Sequence, residues 1–110
     1  MEVKQFRYAS DNLGYLVYAK GKGIAIDAGA PDAMADFCRN QDIEIRYVTN
    51  THTHGDHTSG NLRLLDKTAA KFLDCRQFTQ GQIIDLSGGQ GLEVLLTPGH
   101  TADSVCFKGE

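Results

Sequence analysis

Thr51-His52-Thr53-His54-Gly55-Asp56-His57 is the stretch from which this chain is best understood, because three of its four histidines fall within it. It directly follows Ile43–Thr49 (IEIRYVT), where Ile43, Ile45 and Tyr47 alternate with Glu44 and Arg46. That alternation predicts a strand with one buried face. The polar stretch Asn50–Ser59 reads as the loop beyond it, and a loop on a rigid strand end is where ligands can be positioned. In extended backbone, residues i and i+2 point to the same side, so His52 and His54 can aim two imidazoles at one ion. Gly55 allows a turn, after which Asp56 and His57 point elsewhere, toward a second ion. Imidazole and carboxylate suit zinc, manganese or iron rather than Cu(I). A solvated loop with scattered histidines is the plain alternative. With 4 His in 110 residues, an H-x-H-x-D-H pattern arises by chance in roughly 5 × 10⁻⁴ of such chains, so the pattern is specific.

The fourth histidine sits in Leu96-Thr97-Pro98-Gly99-His100-Thr101, again just past a strand-like run. A lone His after a Gly carries no signal by itself. As a third ligand beside His52 and His54 it would leave one position of a tetrahedral ion open, the arrangement of a catalytic site.

Around these loops the chain reads as mostly β with two inserted helices. Gly14–Lys20 and Ile24–Ala28 predict paired strands, with Gly21-Lys22-Gly23 as the hairpin turn. Pro31 suits a first helical turn. Met34, Phe37 and Cys38 at i, i+3 and i+4 predict a helix near Asp32–Asn40 with one apolar stripe. A short helix is expected near Asn61–Lys67, carrying Leu62 and Leu65. Short strands are expected at Lys71–Leu73, Gln82–Leu86, Leu92–Leu96 and Ser104–Lys108, separated by glycine-rich turns.

The length of 110 residues allows one domain, and 41% hydrophobic with 23% charged residues is ordinary for a globular chain. No apolar run approaches the ~20 residues of a membrane span. The start, MEVKQFRYAS, lacks the apolar core of a signal peptide. A net charge of −3 argues against a nucleic-acid binder with a basic surface. Cys38, Cys75 and Cys106 are far apart and odd in number, so they form no disulfide framework. They are expected as buried reduced thiols in a cytoplasmic setting.

The motifs together resemble the metallo-β-lactamase superfamily, and within it the glyoxalase II-like hydrolases. THTHGDH looks like the family's T-H-x-H-x-D-H signature, TPGHT like its third-histidine loop, and Ile24-Ala25-Ile26-Asp27-Ala28-Gly29 like its strand-end I-D-x-G segment. The resemblance implies that His52, His54 and His100 hold a first metal ion and that Asp56 and His57 contribute to a second. Asp27 would stand behind the metal ligands. Without the family match, Asp27 reads as a strand-end turn residue.

The implied fold is an α/β (α+β) αββα sandwich, truncated here to roughly its N-terminal ββα half, with residues 1–110 forming an incomplete domain. The family's bridging Asp and last His would lie beyond Phe107-Lys108-Gly109-Glu110, and Asp103 is too close to His100 to serve as the bridge. The implied chemistry is hydrolysis of a thioester or ester of a small-molecule substrate by metal-held hydroxide, with Asp56 orienting the nucleophile. Zinc is the expected ion, at two sites in the intact family and one here, with iron or manganese as substitutes. A mononuclear-iron persulfide dioxygenase-like protein and a non-catalytic metal-binding fragment are the alternatives. Neither a nucleic-acid nor a membrane partner is expected. A homodimer covering the sheet face that half a sandwich exposes is.

Overall fold

A computed structural model describes residues 1–8, 12–51, 60–87, 89–97 and 105–109. Eight strands and two α-helices are defined there. They are β1 (Glu2–Tyr8), β2 (Asn12–Ala19), β3 (Lys22–Ile26), α1 (Pro31–Gln41), β4 (Glu44–Thr49), α2 (Asn61–Lys67), β5 (Lys71–Phe72), β6 (Ile83–Ser87), β7 (Gln90–Leu96) and β8 (Val105–Gly109). A single 3-10 turn covers Cys75–Gln77.

The strands form two sheets. The first has the order β1-β2-β3-β4-β5 and the second β6-β7-β8. β2 runs antiparallel to both of its neighbours, β1 and β3, whereas β3, β4 and β5 run parallel. Parallel neighbours need a crossover, and α1 provides it between β3 and β4.

Both faces of the first sheet are covered, and the pleat decides which residue goes where. Leu16, Ala25, Ile45 and Val48 pack with Met34 and Cys38 of α1 and Leu64 of α2. Their strand neighbours Val17, Ile24 and Ile26 face the second sheet and pack on Ile84, Leu86, Leu92, Val94 and Val105. β3 is therefore buried on both sides, which explains its unbroken apolar run Ile24-Ala25-Ile26. The layers are helix, sheet, sheet: the ββα half expected from sequence. The outer face of the second sheet has no covering layer among the described residues, and it is less apolar than expected, with Asp85 and Lys108 exposed beside Ile83 and Cys106.

Several expectations shift in detail. The β2–β3 turn is Lys20-Gly21, both at positive φ (53° and 79°), and Lys22 already pairs with Ala19. Two successive positive φ values match the right-handed twist of the flanking strands. α1 starts at Pro31 and ends one residue later than expected. β1 escapes sequence reading because it is an edge strand whose one buried residue is Phe6. Cys38 and Cys75 are buried as expected, but Cys106 is exposed. Val105 turns inward on β8, so alternation turns Cys106 out.

Candidate metal centre

β3 and β4 lie side by side and parallel, with Ile26 opposite Thr49. Their carboxyl ends therefore share one edge of the sheet, the place where open α/β sheets bind ligands. Asp27 leaves β3 there with φ 56°. Aspartate tolerates this left-handed region better than most residues. The residue is only 3% exposed, so its carboxylate must be hydrogen-bonded. Oδ1 accepts from the Thr51 backbone N–H at 2.9 Å and from Asn50 Nδ2 at 3.3 Å. Oδ2 accepts from the Thr51 hydroxyl at 2.8 Å. The Asp27 backbone N–H donates to Thr49 O at 3.0 Å. Asp27 thus straps down the exit of β4, the residues from which the histidine-bearing stretch departs.

The far end of that stretch is pinned beside the same point. Gly60 lies so close to the chain after Asp27 that a Cβ there would stand 1.6 Å from the Ala28 carbonyl oxygen. Only glycine permits that approach. Asn61 follows as the first residue of α2, 7% exposed, and its Nδ2 donates to Asn50 Oδ1 at 2.7 Å. An exposed cross-helix pair steadies α2 further. Asp32 of α1 accepts from Arg63 at 2.8 Å, with Lys67 at 3.4 Å. The Arg63 hydrogen bond, then Lys67, holds the Asp32 carboxyl below its ordinary range.

The second histidine-bearing stretch connects β7 to β8, whose last pair toward it is Leu96 with Val105. The Val105 N–H donates to Thr51 O at 2.7 Å. The residue that precedes the first stretch is therefore hydrogen-bonded to the residue that closes the second. Separated by 54 positions in the chain, Thr51 and Val105 meet where the end of β4 in the first sheet comes against the start of β8 in the second. An apolar cleft of about 340 Å³ opens beside them, lined in part by Val17, Ile26, Leu92 and Phe107.

His52, His54, Asp56, His57 and His100 themselves lie outside the described residues, as do Asp103 and Glu110. Among the described residues no three His, Cys, Asp or Glu side chains form a metal-holding group. What the structure describes is the frame on which both stretches are hung. Sequence reading found Asp27 but missed Asn50, Thr51 and Asn61. It took Asn50 as part of a polar loop, whereas the residue is 2% exposed. The signal available was position: Asn50 and Asn61 sit just outside the two ends of the histidine stretch.

The Metallo-beta-lactamase superfamily model matches residues 10–73, more than half of the chain, including Asp27 and THTHGDH. The chain belongs to the metallo-β-lactamase superfamily. A hydroxyacylglutathione hydrolase of Hyphomonas neptunium is 32% identical over 97% of the chain, which spans 46% of that relative. A hydroxyacylglutathione hydrolase of Pelagibacter ubique is 30% identical over 97%, with 50% of that relative covered. The chain thus spans about half the length of the curated relatives it matches. Among solved structures, ETHE1 from Myxococcus xanthus superposes with a TM-score of 0.80 at 27% identity, over 99% of this chain and 54% of that one. The superposition bears out the reading of the fold as a truncated αββα sandwich.

Proposed function

We propose that this chain carries the metal-binding part of a metal-dependent hydrolase acting on a thioester or ester, with an acylated glutathione as the substrate class that the relatives' name suggests. The observation that carries this is the hydrogen bond from the Val105 N–H to Thr51 O, 2.7 Å. It supports a single centre fed by both histidine stretches rather than two unrelated loops.

The residues fit a divalent ion by their chemistry. His52, His54 and His100 offer three neutral nitrogen donors, and Asp56 and His57 offer a further pair suited to zinc, manganese or iron. Asn61, next in sequence to the end of the first stretch, also carries a buried amide oxygen that has no partner among the described residues. When bound, the ion would acidify a water and polarise a substrate carbonyl. Asp56 would orient that water. Asp27 would act through Thr51, holding the start of the ligand stretch in one conformation. A small-molecule substrate and a two-fold homodimer belong to the same reading. The outer face of the second sheet, without a covering layer among the described residues, is the surface a second copy would cover.

The test is metal content. The chain is dialysed against zinc, then freed of excess and analysed for bound metal. Near one ion per chain is expected, with loss of that ion in His54→Ala. Affinity should fall as pH drops below about 6.5, since the imidazoles must be neutral to bind. No bound zinc, or no effect of His54→Ala, would sink the reading. Retention of iron against excess zinc would favour an iron-dependent dioxygenase over a hydrolase. The chain alone is expected to turn over thioesters slowly or not at all.

A further inference from the structure

A run of buried amide and carboxylate groups joins the two residues that flank the histidine stretch, Asn50 and Asn61, to Asp27, and its hydrogen-bond polarity is forced. The Asp27 carboxylate serves as acceptor for Thr51 and Asn50. Asn50 must therefore turn its NH₂ toward Asp27, which leaves its oxygen facing Asn61. Asn61 must in turn present its NH₂ to that oxygen, at 2.7 Å. The carboxylate of Asp27 so sets the flip of two amides in series. The outcome is that Asn61 Oδ1 faces away from Asn50 as an acceptor. That oxygen is buried, and no hydrogen bond from the described residues reaches it. Buried acceptors without donors are rare because desolvation is not repaid.

We propose that Asn61 is a positioning residue for the metal ligands: its Oδ1 accepts a ring N–H from one of His52, His54 and His57 when the ion is bound. A metal-held imidazole usually gives its second N–H to an acceptor in this manner, which fixes the tautomer and the ring orientation. Asn61 is suited to the task on three counts. It follows Gly60, which is pressed on Ala28. Its amide cannot flip without breaking the Asn50 contact. Its oxygen is held on the first residue of a helix rather than in a loop. The inference rests on the metal-centre reading above.

The experiment measures zinc affinity by chelator competition, together with the stability of the metal-free chain, in wild type, Asn61→Leu and Asn61→Asp. Asn61→Leu should bind zinc 10–100-fold more weakly, without an equal loss of metal-free stability, because it also removes the unpartnered oxygen. Asn61→Asp keeps an acceptor but loses the donor to Asn50. It should lose stability yet hold zinc within about threefold of wild type. Proton–nitrogen spectra of ¹⁵N-histidine wild type should show one slowly exchanging ring N–H in the zinc form, lost in Asn61→Leu. Asn61→Leu binding zinc as wild type does, or a zinc-loaded wild type whose ring N–H groups all exchange rapidly, overturns the proposal and leaves the metal centre standing. A wild type that binds no zinc overturns both.

Discussion

Replacing Asp27 separates the three things it does. Its carboxylate accepts from Thr51 N–H, the Thr51 hydroxyl and Asn50 Nδ2, and its backbone sits at φ 56°. Asp27→Asn keeps an oxygen for Thr51 N–H and Asn50, and its NH₂ can donate to the Thr51 hydroxyl oxygen. What is lost is charge assistance, about 1 kcal/mol. Asp27→Gly keeps the backbone conformation but takes the acceptor from all three donors. The Thr51 hydroxyl can turn to water because Thr51 is half-buried, but Asn50 is 2% exposed and the Thr51 N–H donates to a carboxylate that is itself buried. Two donors at about 1–2 kcal/mol each come to about 2–4 kcal/mol. Asp27→Ala adds about 1 kcal/mol for a Cβ in the left-handed region. The expected order of stability is wild type, Asn, Gly, Ala, spanning about 3–5 kcal/mol. Urea unfolding of the metal-stripped chain, followed by circular dichroism, measures it, with an unchanged m-value as the check that only stability has moved. Asp27→Ala within about 0.5 kcal/mol of wild type, the range of an ordinary surface change, would refute the strap.

Three other outcomes follow from the described side chains. A thiol reagent should label Cys106 at once and reach Cys38 and Cys75 only on unfolding; fast labelling of three thiols in the native chain would contradict the packing. Burial pushes the Cys38 thiol up to about 11, above its unfolded value. Its contribution is intact below the unfolded thiol's pKa, about 8.5, and is lost as pH rises toward 11; Cys38→Ala should flatten that alkaline limb, and an unchanged slope would count against it. Asp32, Glu44 and Asp74 are each held below the ordinary carboxylate range by a basic partner's hydrogen bond, from Arg63, Lys22 and Arg76. Their contribution is present above pH 4 and lost as pH falls below it; because these pairs are exposed, 1 M salt should shrink the effect, and insensitivity to salt would argue against it.

Much of the fold was legible because local and tertiary demands agree. The alternation in Ile43–Thr49 became β4, the i, i+3, i+4 stripe of Met34, Phe37 and Cys38 became α1, and Asn61–Lys67 came out as α2 with the expected bounds. β1 was silent because only Phe6 of its seven residues is buried, so no periodicity marks it. Cys106 was misjudged because Val105 and Phe107 beside it look like a buried run, whereas a strand turns every second residue outward. At the candidate centre, the histidines speak for themselves as donor atoms. Their supports do not, because a buried Asn reads from sequence like any loop Asn.

The supports nevertheless explain the placing of the motif. Two stretches far apart in the chain would bind one ion more tightly when their ends are fixed relative to each other before the ion arrives, since each free loop would otherwise lose its conformational entropy on binding. Here Asp27 fixes Thr51, Thr51 O fixes Val105, and Ala28 leaves room for Gly60 alone. These contacts radiate from Asp27 and Ala28, where β3 stops. The turn after β3 therefore does the work of a common anchor. A side chain at position 60 should disturb the centre although it donates nothing to it: Gly60→Ala would drive a Cβ into the Ala28 carbonyl and force the chain apart where the first stretch ends. Loss of zinc affinity in that variant, with the histidines untouched, is the expected result, and zinc affinity equal to wild type would show that the anchor is dispensable.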